Sequence, residues 1–255
     1  MLAELLELAP QGFEQVDGDG FVEFGVYGAP GELPEPLTGA AHVGGIEVCI
    51  STTQVGEDWL DRWREFHKPA RIGRVQIRAP WHPPAADGVD VVIDPAQAFG
   101  TGAHPTTRMC LELLLGAAPG EPGGGRPLAD LGCGSGVLAI GAVKLGFSPV
   151  TAFDHEPAAL EATIANARAN GVTLAAVERL DLRREPAPVA AVTVANLVRP
   201  LLLRVAELLL EPPETLIVSG LLEGEEDEAA AAFAPLRERR RLRLQEWSAL
   251  LMTRP

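Results

Sequence analysis

The sequence predicts an α/β protein whose main domain is a layered sheet of seven strands, most of them parallel, preceded by a small α+β N-terminal domain. Three observations carry that expectation. From Thr106 onward, strand-like apolar runs alternate with helix-like stretches, the pattern of parallel strands joined by crossover helices. Inside that region DLGCGSG, from Asp130 to Gly136, joins a strand-like run to a helix-like one through three glycines. Upstream, between Phe21 and Ile50, short β-like runs alternate with Gly/Pro-rich turns such as Gly28-Ala29-Pro30-Gly31.

Taken in order, the first expected strands are Phe21 to Tyr27 and Gly45 to Ile50. Glu57 to His67 then sets Trp59, Leu60, Trp63 and Phe66 at helical spacing, and Pro69 limits its extension. Arg74 to Ala79 alternates like a strand, Pro80 to Gly88 reads as a loop, and Val89 to Ile93 as another strand. The implied organisation is a small domain over 1–56, a connecting helix and linker over 57–90, and the α/β domain over 91–255. In that domain, strands are expected at Leu128 to Leu131, Val150 to Phe153, Leu174 to Val177, Val189 to Ala195 and Thr215 to Ser219. Helices fall between them at Val137 to Leu145, Pro157 to Asn170 and Pro200 to Leu210, with Pro157 suited to a first helical position and Gly171 to a stop. An alanine-rich helix around Glu225 to Leu236 precedes a closing hairpin of Leu242 to Glu246 and Ala249 to Thr253, which completes seven strands.

Composition limits the function classes. Apolar residues make up 47% of the 255 and charged residues 22%, so the chain can bury a core and resembles neither a disordered nor a disulfide-stapled protein. A net charge of -14 repels a phosphate backbone, so direct nucleic-acid binding is not expected, while a basic protein partner is favoured. Cys49, Cys110 and Cys133 are odd in number and widely spaced, and are expected to be reduced, buried thiols. The acidic start and the absence of any apolar run approaching the ~20 residues of a membrane span point to a soluble, cytoplasmic protein.

Within DLGCGSG the glycines let the backbone turn sharply and lie against a nucleotide-like ligand. About twenty residues on, the next expected strand ends at Asp154, where a carboxylate can accept hydrogen bonds from two vicinal ribose hydroxyls. A dinucleotide fingerprint would need glycine at 137; this chain has Val137 and places its third glycine at 136, which favours S-adenosyl-L-methionine (AdoMet) over NAD. A further strand runs into Ala195-Asn196. There the Asn196 amide either holds an attacking amine, or contacts the methionine part of the cofactor, or simply finishes the strand. Upstream, Asp94 to Thr107 is a Gly/Thr-rich loop running into a helix, in which Phe99 can stack on an adenine and Thr107 can offer its hydroxyl and amide, or the segment is a capped loop and no more.

AFGTGAHPTT, DLGCGSGVLAIGAVKLG, Ala195-Asn196 and SGLLEGE from Ser219 together resemble the PrmA family, AdoMet-dependent methyltransferases of large-subunit ribosomal protein eleven. Asp58-Trp59 through Lys68-Pro69 and the pair Pro80-Trp81 extend the likeness to about residues 57–224. The resemblance implies a Rossmann-like, class I methyltransferase domain and AdoMet contacts at Thr107, Gly132, Asp154 and Asn196. It also implies N-methylation of lysine side chains or the N-terminal amine of that ribosomal protein; it assigns no catalytic residue, and amine orientation by Asn196 stays one of the readings given above. Ala96 stands where the family usually has glycine, and Leu197-Val198 replaces Ile-Leu. The N-terminal recognition domain also reads as trimmed, so other outcomes stay open: a lysine methyltransferase of another protein, or a non-catalytic AdoMet-binding module.

Other residues are expected to be structural. His67, His82 and His104 fit no compact ligand set, so no metal is expected. Trp59 and Trp63 suit packing on one helix face. Arg237, Arg239, Arg240, Arg241 and Arg243 suit a solvated sheet edge that discourages further strand pairing. Cys133 is expected to pack rather than react, because methyl transfer from a sulfonium needs no thiol.

Overall fold

The computed structural model describes residues 14–18, 21–25, 39–43, 46–50, 68–95, 104–119 and 125–255. The expected helix from Glu57 to His67 with Trp59 and Trp63, the Gly28 turn, and Phe99 within its loop lie outside them. The chain divides into two compact units, Met1–Phe66 and His67–Pro255.

In the first unit the described residues form two antiparallel ladders. β1 (Glu14–Gly18) pairs with β2 (Phe21–Gly25), and β3 (Gly39–Val43) with β4 (Ile46–Ile50). The expectation of three buried thiols is corrected here, because Cys49 on β4 is exposed while Cys110 and Cys133 are buried.

The second unit opens with a three-stranded sheet. β5 (Ala70–Ile72) runs antiparallel to β6 (Val75–Arg78), which pairs in parallel with β7 (Val89–Val92). Residues 68–90, the described part of the expected connecting helix and linker, fall in the larger unit. Val75, Ile77, Val91 and Ile93 are buried in the same core as Leu113, Leu114 and Ile140, and that burial binds the sheet there.

The remaining strands are β8 (Leu128–Leu131), β9 (Val150–Asp154), β10 (Ala176–Arg179), β11 (Val192–Asn196), β12 (Thr215–Leu222), β13 (Arg237–Leu244) and β14 (Trp247–Thr253). They make one seven-stranded sheet in the order β10-β9-β8-β11-β12-β14-β13, as expected in number. β14 alone runs against its neighbours on both sides. Between and before them lie α1 (Pro105–Ala117), α2 (Val137–Lys144), α3 (Pro157–Ala169), α4 (Arg199–Leu208) and α5 (Glu226–Ala232).

Alternation along each strand divides the core into two faces. Leu128, Val150, Ala152, Val192, Val194 and Ile217 pack with Met109, Leu111 and Leu114 of α1 and with α2. Ala129, Leu131, Phe153, Ala195, Leu216 and Val218 pack with Leu202 and Val205 of α4 and Ala229 of α5. Helix α3 begins at Pro157, whose fixed φ suits a first turn, and stops before Gly171, which adopts φ +63°. β13 is an edge strand with Arg237, Glu238, Arg239 and Arg240 exposed, as expected of its arginines.

Candidate functional site

Strand register brings the sequence-predicted residues together. Leu131 pairs with Phe153 on one side and with Ala195 on the other, so the next residues along, Asp154, Gly132 and Asn196, form a row across the carboxyl ends of three adjacent strands. Asn196 in turn pairs with Ser219 of β12. Neighbouring strands lie about 4.8 Å apart, so this row is one continuous rim. The carboxyl ends of parallel strands are where open α/β sheets bind ligands.

The turn after β8 is a bare backbone cradle. Gly132, Gly134 and Gly136 all have positive φ (74°, 53° and 79°), a conformation that L side chains rarely adopt. A Cβ on Gly132 would stand 2.3 Å from Leu197 Cδ2, and one on Gly136 would stand 2.9 Å from the Thr163 side chain. The Gly132 and Cys133 amides both donate to the Phe153 carbonyl, at 2.8 and 2.9 Å, which ties the turn to the end of β9.

Asp154 is nearly buried. One of its oxygens accepts the Gly134 amide at 3.0 Å and the other the Glu156 amide at 3.1 Å. Each oxygen keeps a second lone-pair site, so the carboxylate is oriented by backbone donors while still able to accept a diol. Thr107 lies in the first turn of α1, which starts with Pro105 and is capped by the His104 ring accepting the Thr106 amide. The Thr107 side chain is buried, and its hydroxyl has no hydrogen-bond partner among the described residues. A buried unmet hydroxyl is costly unless a ligand satisfies it. The glycine cradle, the oriented Asp154 and this hydroxyl fit an adenosyl ligand.

Several contributors escaped the sequence reading. Asp130 is buried at the base of the turn, where one oxygen accepts the Ala139 amide of α2 at 3.0 Å. Burial pushes its carboxyl up to about 7; the Ala139 bond works against that shift and the Asp154 charge adds to it. Gly220, at φ +88°, lets the Leu197 carbonyl approach, since a Cβ there would sit 2.3 Å from that oxygen. Behind Ser219 a buried chain continues: its hydroxyl donates to the Ser248 carbonyl at 3.1 Å, and the Ser248 hydroxyl donates to Glu226 at 2.9 Å. Arg243 completes it at 2.8 Å from the same Glu226 oxygen. Burial also pushes the Cys110 and Cys133 thiols up, so both stay protonated and neither serves as a nucleophile.

A surface hollow lies elsewhere. About 560 Å³ in volume and open to solvent, it lies at the amino ends of β8, β9, β11 and β12, lined by Pro127, Pro149, Pro188, Val189 and Pro213 among others. The candidate site lies at the opposite rim, with the glycines at positive φ and the oriented Asp154 carboxylate. Among the described residues no cluster of metal-ligating side chains occurs, and no helix is long and apolar enough to cross a membrane.

Residues 40–255 match the PrmA family, described as ribosomal protein L11 methyltransferase. The ribosomal protein L11 methyltransferase of Citrifermentans bemidjiense is 40% identical over 215 residues, 81% of this chain and 70% of that protein. The protein of the same name from Pseudomonas putida strain GB-1 is 41% identical over 186 residues, 70% of this chain and 61% of that one. The crystal structure of a ribosomal protein L11 methylase from Lactobacillus delbrueckii superposes with a TM-score of 0.63 at 27% identity, covering 73% of this chain and 98% of that one.

Proposed function

Because the chain belongs to the PrmA family of ribosomal protein L11 methyltransferases, we propose that it transfers methyl groups from AdoMet to amino groups of ribosomal protein L11, either lysine side chains or the N-terminal amine. The observation that carries this reading is the row Asp154, Gly132 and Asn196 across three neighbouring strand ends. When bound, AdoMet supplies a methyl carbon made electrophilic by its sulfonium.

The chain's own residues supply binding and placement. Asp154 accepts the ribose hydroxyls, the Gly132 backbone lies flush against the ligand, and Thr107 offers its buried hydroxyl. The half-buried Asn196 amide accepts the N–H groups of the incoming amine and aims its lone pair along the line of displacement. Asn196 does not ionise, so the lysine, whose ordinary pKa is ~10.4, enters after losing its proton. Turnover therefore rises with pH toward the amine's effective pKa in the complex, and a flat profile between about pH 6 and about pH 10 would contradict this.

Residues 1–56 serve as the substrate-recognition domain in this reading. The net charge of -14 supports docking of a basic protein in the cytoplasm and disfavours nucleic acid or an anionic membrane surface as direct partner. The test is transfer of labelled methyl from AdoMet to purified ribosomal protein L11, beside a mixed protein extract and an Asp154→Ala control. Label in L11 that disappears in the variant is the expected result. Label only in another protein moves the substrate, and binding without any transfer makes the chain a non-catalytic AdoMet-binding module.

A further inference from the structure

One helix holds both the glycine turn of the candidate cofactor site and the chain leaving β7. On α3, Thr163 and Asn166 are buried, and with Asn170 just past the helix end they recur at helical spacing on one face. The Thr163 hydroxyl donates to the Gly134 carbonyl at 3.0 Å. The Asn166 amide nitrogen donates to the Ser135 carbonyl at 2.9 Å, and its oxygen accepts the Asp94 amide at 3.1 Å. One turn on, Asn170 accepts the Val92 amide at 2.8 Å and donates to the Val92 carbonyl at 2.6 Å.

Among the described residues, Asn166 is the side chain that bonds both segments: the glycine turn at Ser135, and the chain leaving β7 at Asp94. Its chemistry is specific to the task. One group must donate to a carbonyl while a second, on the same planar end, accepts from an amide, and the pair is buried where an unmet partner is costly. The glycine turn is also held from its other side, where Asp154 accepts the Gly134 amide. Its backbone is therefore fixed before any ligand arrives.

We propose that Asn166 is a positioning residue for AdoMet, holding the glycine turn in register with the chain that leaves β7 at Asp94. This rests on the AdoMet-dependent reading above. Thr163 bonds the turn and Asn170 bonds Val92; among the described residues, Asn166 is the side chain with a bond to each. Removing it leaves each segment anchored but no longer registered to the other, so ligand affinity falls by more than the loss of fold accounts for.

The test is calorimetric titration of the full chain with S-adenosylhomocysteine, with Tm recorded for each variant. Asn166→Ala is expected to weaken Kd about tenfold while most of the protein stays folded, whereas Asn170→Ala lowers Tm comparably and shifts Kd less than about threefold. Asn166→Asp supplies a readout that general loss of packing does not. Ionised, the new carboxylate opposes the Ser135 carbonyl; protonated, it can donate to that carbonyl and accept from Asp94 as the amide does. Relative to wild type at each pH, its affinity is expected to recover as pH falls from about 8 to about 6.

Equal Kd for wild type and a folded Asn166→Ala variant would overturn the proposal and leave the AdoMet reading intact. Equal losses in the Asn166 and Asn170 variants, or an Asn166→Asp variant that stays weak at the lower pH while folded, would also overturn it. Failure of the wild-type chain to bind would remove both readings together.

Discussion

The two rims of the seven-stranded sheet are built from opposite materials. At the amino ends of the strands, Pro127, Pro149, Pro188 and Pro213 line an open hollow whose charged members are Glu214 and Arg254. Prolines suit strand entrances because they donate nothing to the ladder, and here their carbonyls accept instead: Pro149 from Leu128 at 2.9 Å, and Pro127 from Val192 at 3.0 Å. At the carboxyl ends there are glycines at positive φ, an oriented carboxylate and a buried hydroxyl without a hydrogen-bond partner among the described residues. Concavity marks the first rim, whereas a glycine backbone at positive φ and incompletely used polar groups mark the second. The proposed site follows the second kind of mark, because a site must hold conformations and polar groups that folding alone would not favour.

The largest expected effect comes from filling the glycine cradle. Gly132→Ala puts a methyl group against Leu197 at a backbone angle that disfavours it, and methyl transfer should fall by about a hundredfold or more. As its counterpart on the other rim, Val189→Lys places a charge in the hollow and should change transfer less than about twofold, as surface changes generally do. A reversal of these two outcomes in a steady-state methyl-transfer assay would break the comparison. Next in size, Asn196→Ala should lower kcat on the order of tenfold with a smaller change in the Kd for AdoMet. An equal loss in binding would move Asn196 from the amine to the cofactor.

Two pH experiments sharpen the contrast between buried carboxyls. The Asp130 carboxyl is raised to about 7 by burial, so the folded protein holds its proton longer than the unfolded chain does. Its stability is then full below about pH 4, falls as pH rises toward about 7, and levels off above. Asp130→Asn, which can still accept the Ala139 amide, should flatten that decline and gain on wild type at about pH 8. Parallel Tm curves would refute it. Glu226 is the reverse case. Burial would raise it, but the amides of Glu226 and Gly224, the Ser248 hydroxyl and the Arg243 guanidinium together bring it down to about 2. Its contribution is present above the ordinary carboxyl range and is lost as pH falls from about 5 toward about 2, so Glu226→Gln should show a shallower acid-side loss in denaturant titrations.

Gly132, Asp154 and Asn196 were legible in the sequence because each follows a local rule: a glycine run between strand and helix, or a polar residue ending an apolar strand. Register then made them neighbours. Elements at the sheet edges were harder. β10 was expected at Leu174 to Val177 and occupies Ala176–Arg179, because pairing with Thr151 to Asp154 sets its register and its exposed end carries Glu178 and Arg179. β13 was expected to start at Leu242 but begins at Arg237; an exposed edge strand defined by pairing with β14 needs no apolar alternation. Thr163, Asn166 and Asn170 were missed because polar residues at helical spacing ordinarily mark a solvent face. The available signal was their company, since Ala159, Ala162 and Ala167 on the same helix are small enough to let it pack closely. Asp130 was read only as part of the glycine motif, and Glu226 only as part of an acidic helix start.

The central claim is that the carboxyl rim, not the hollow, binds the cofactor. It is tested most directly by titrating S-adenosylhomocysteine into wild type, Asp154→Ala and Val189→Lys under one set of conditions. Binding in wild type and Val189→Lys, with affinity reduced about a hundredfold in Asp154→Ala through loss of the two charge-assisted bonds to the ribose, is the predicted result. Undiminished binding in Asp154→Ala together with loss in Val189→Lys would contradict it.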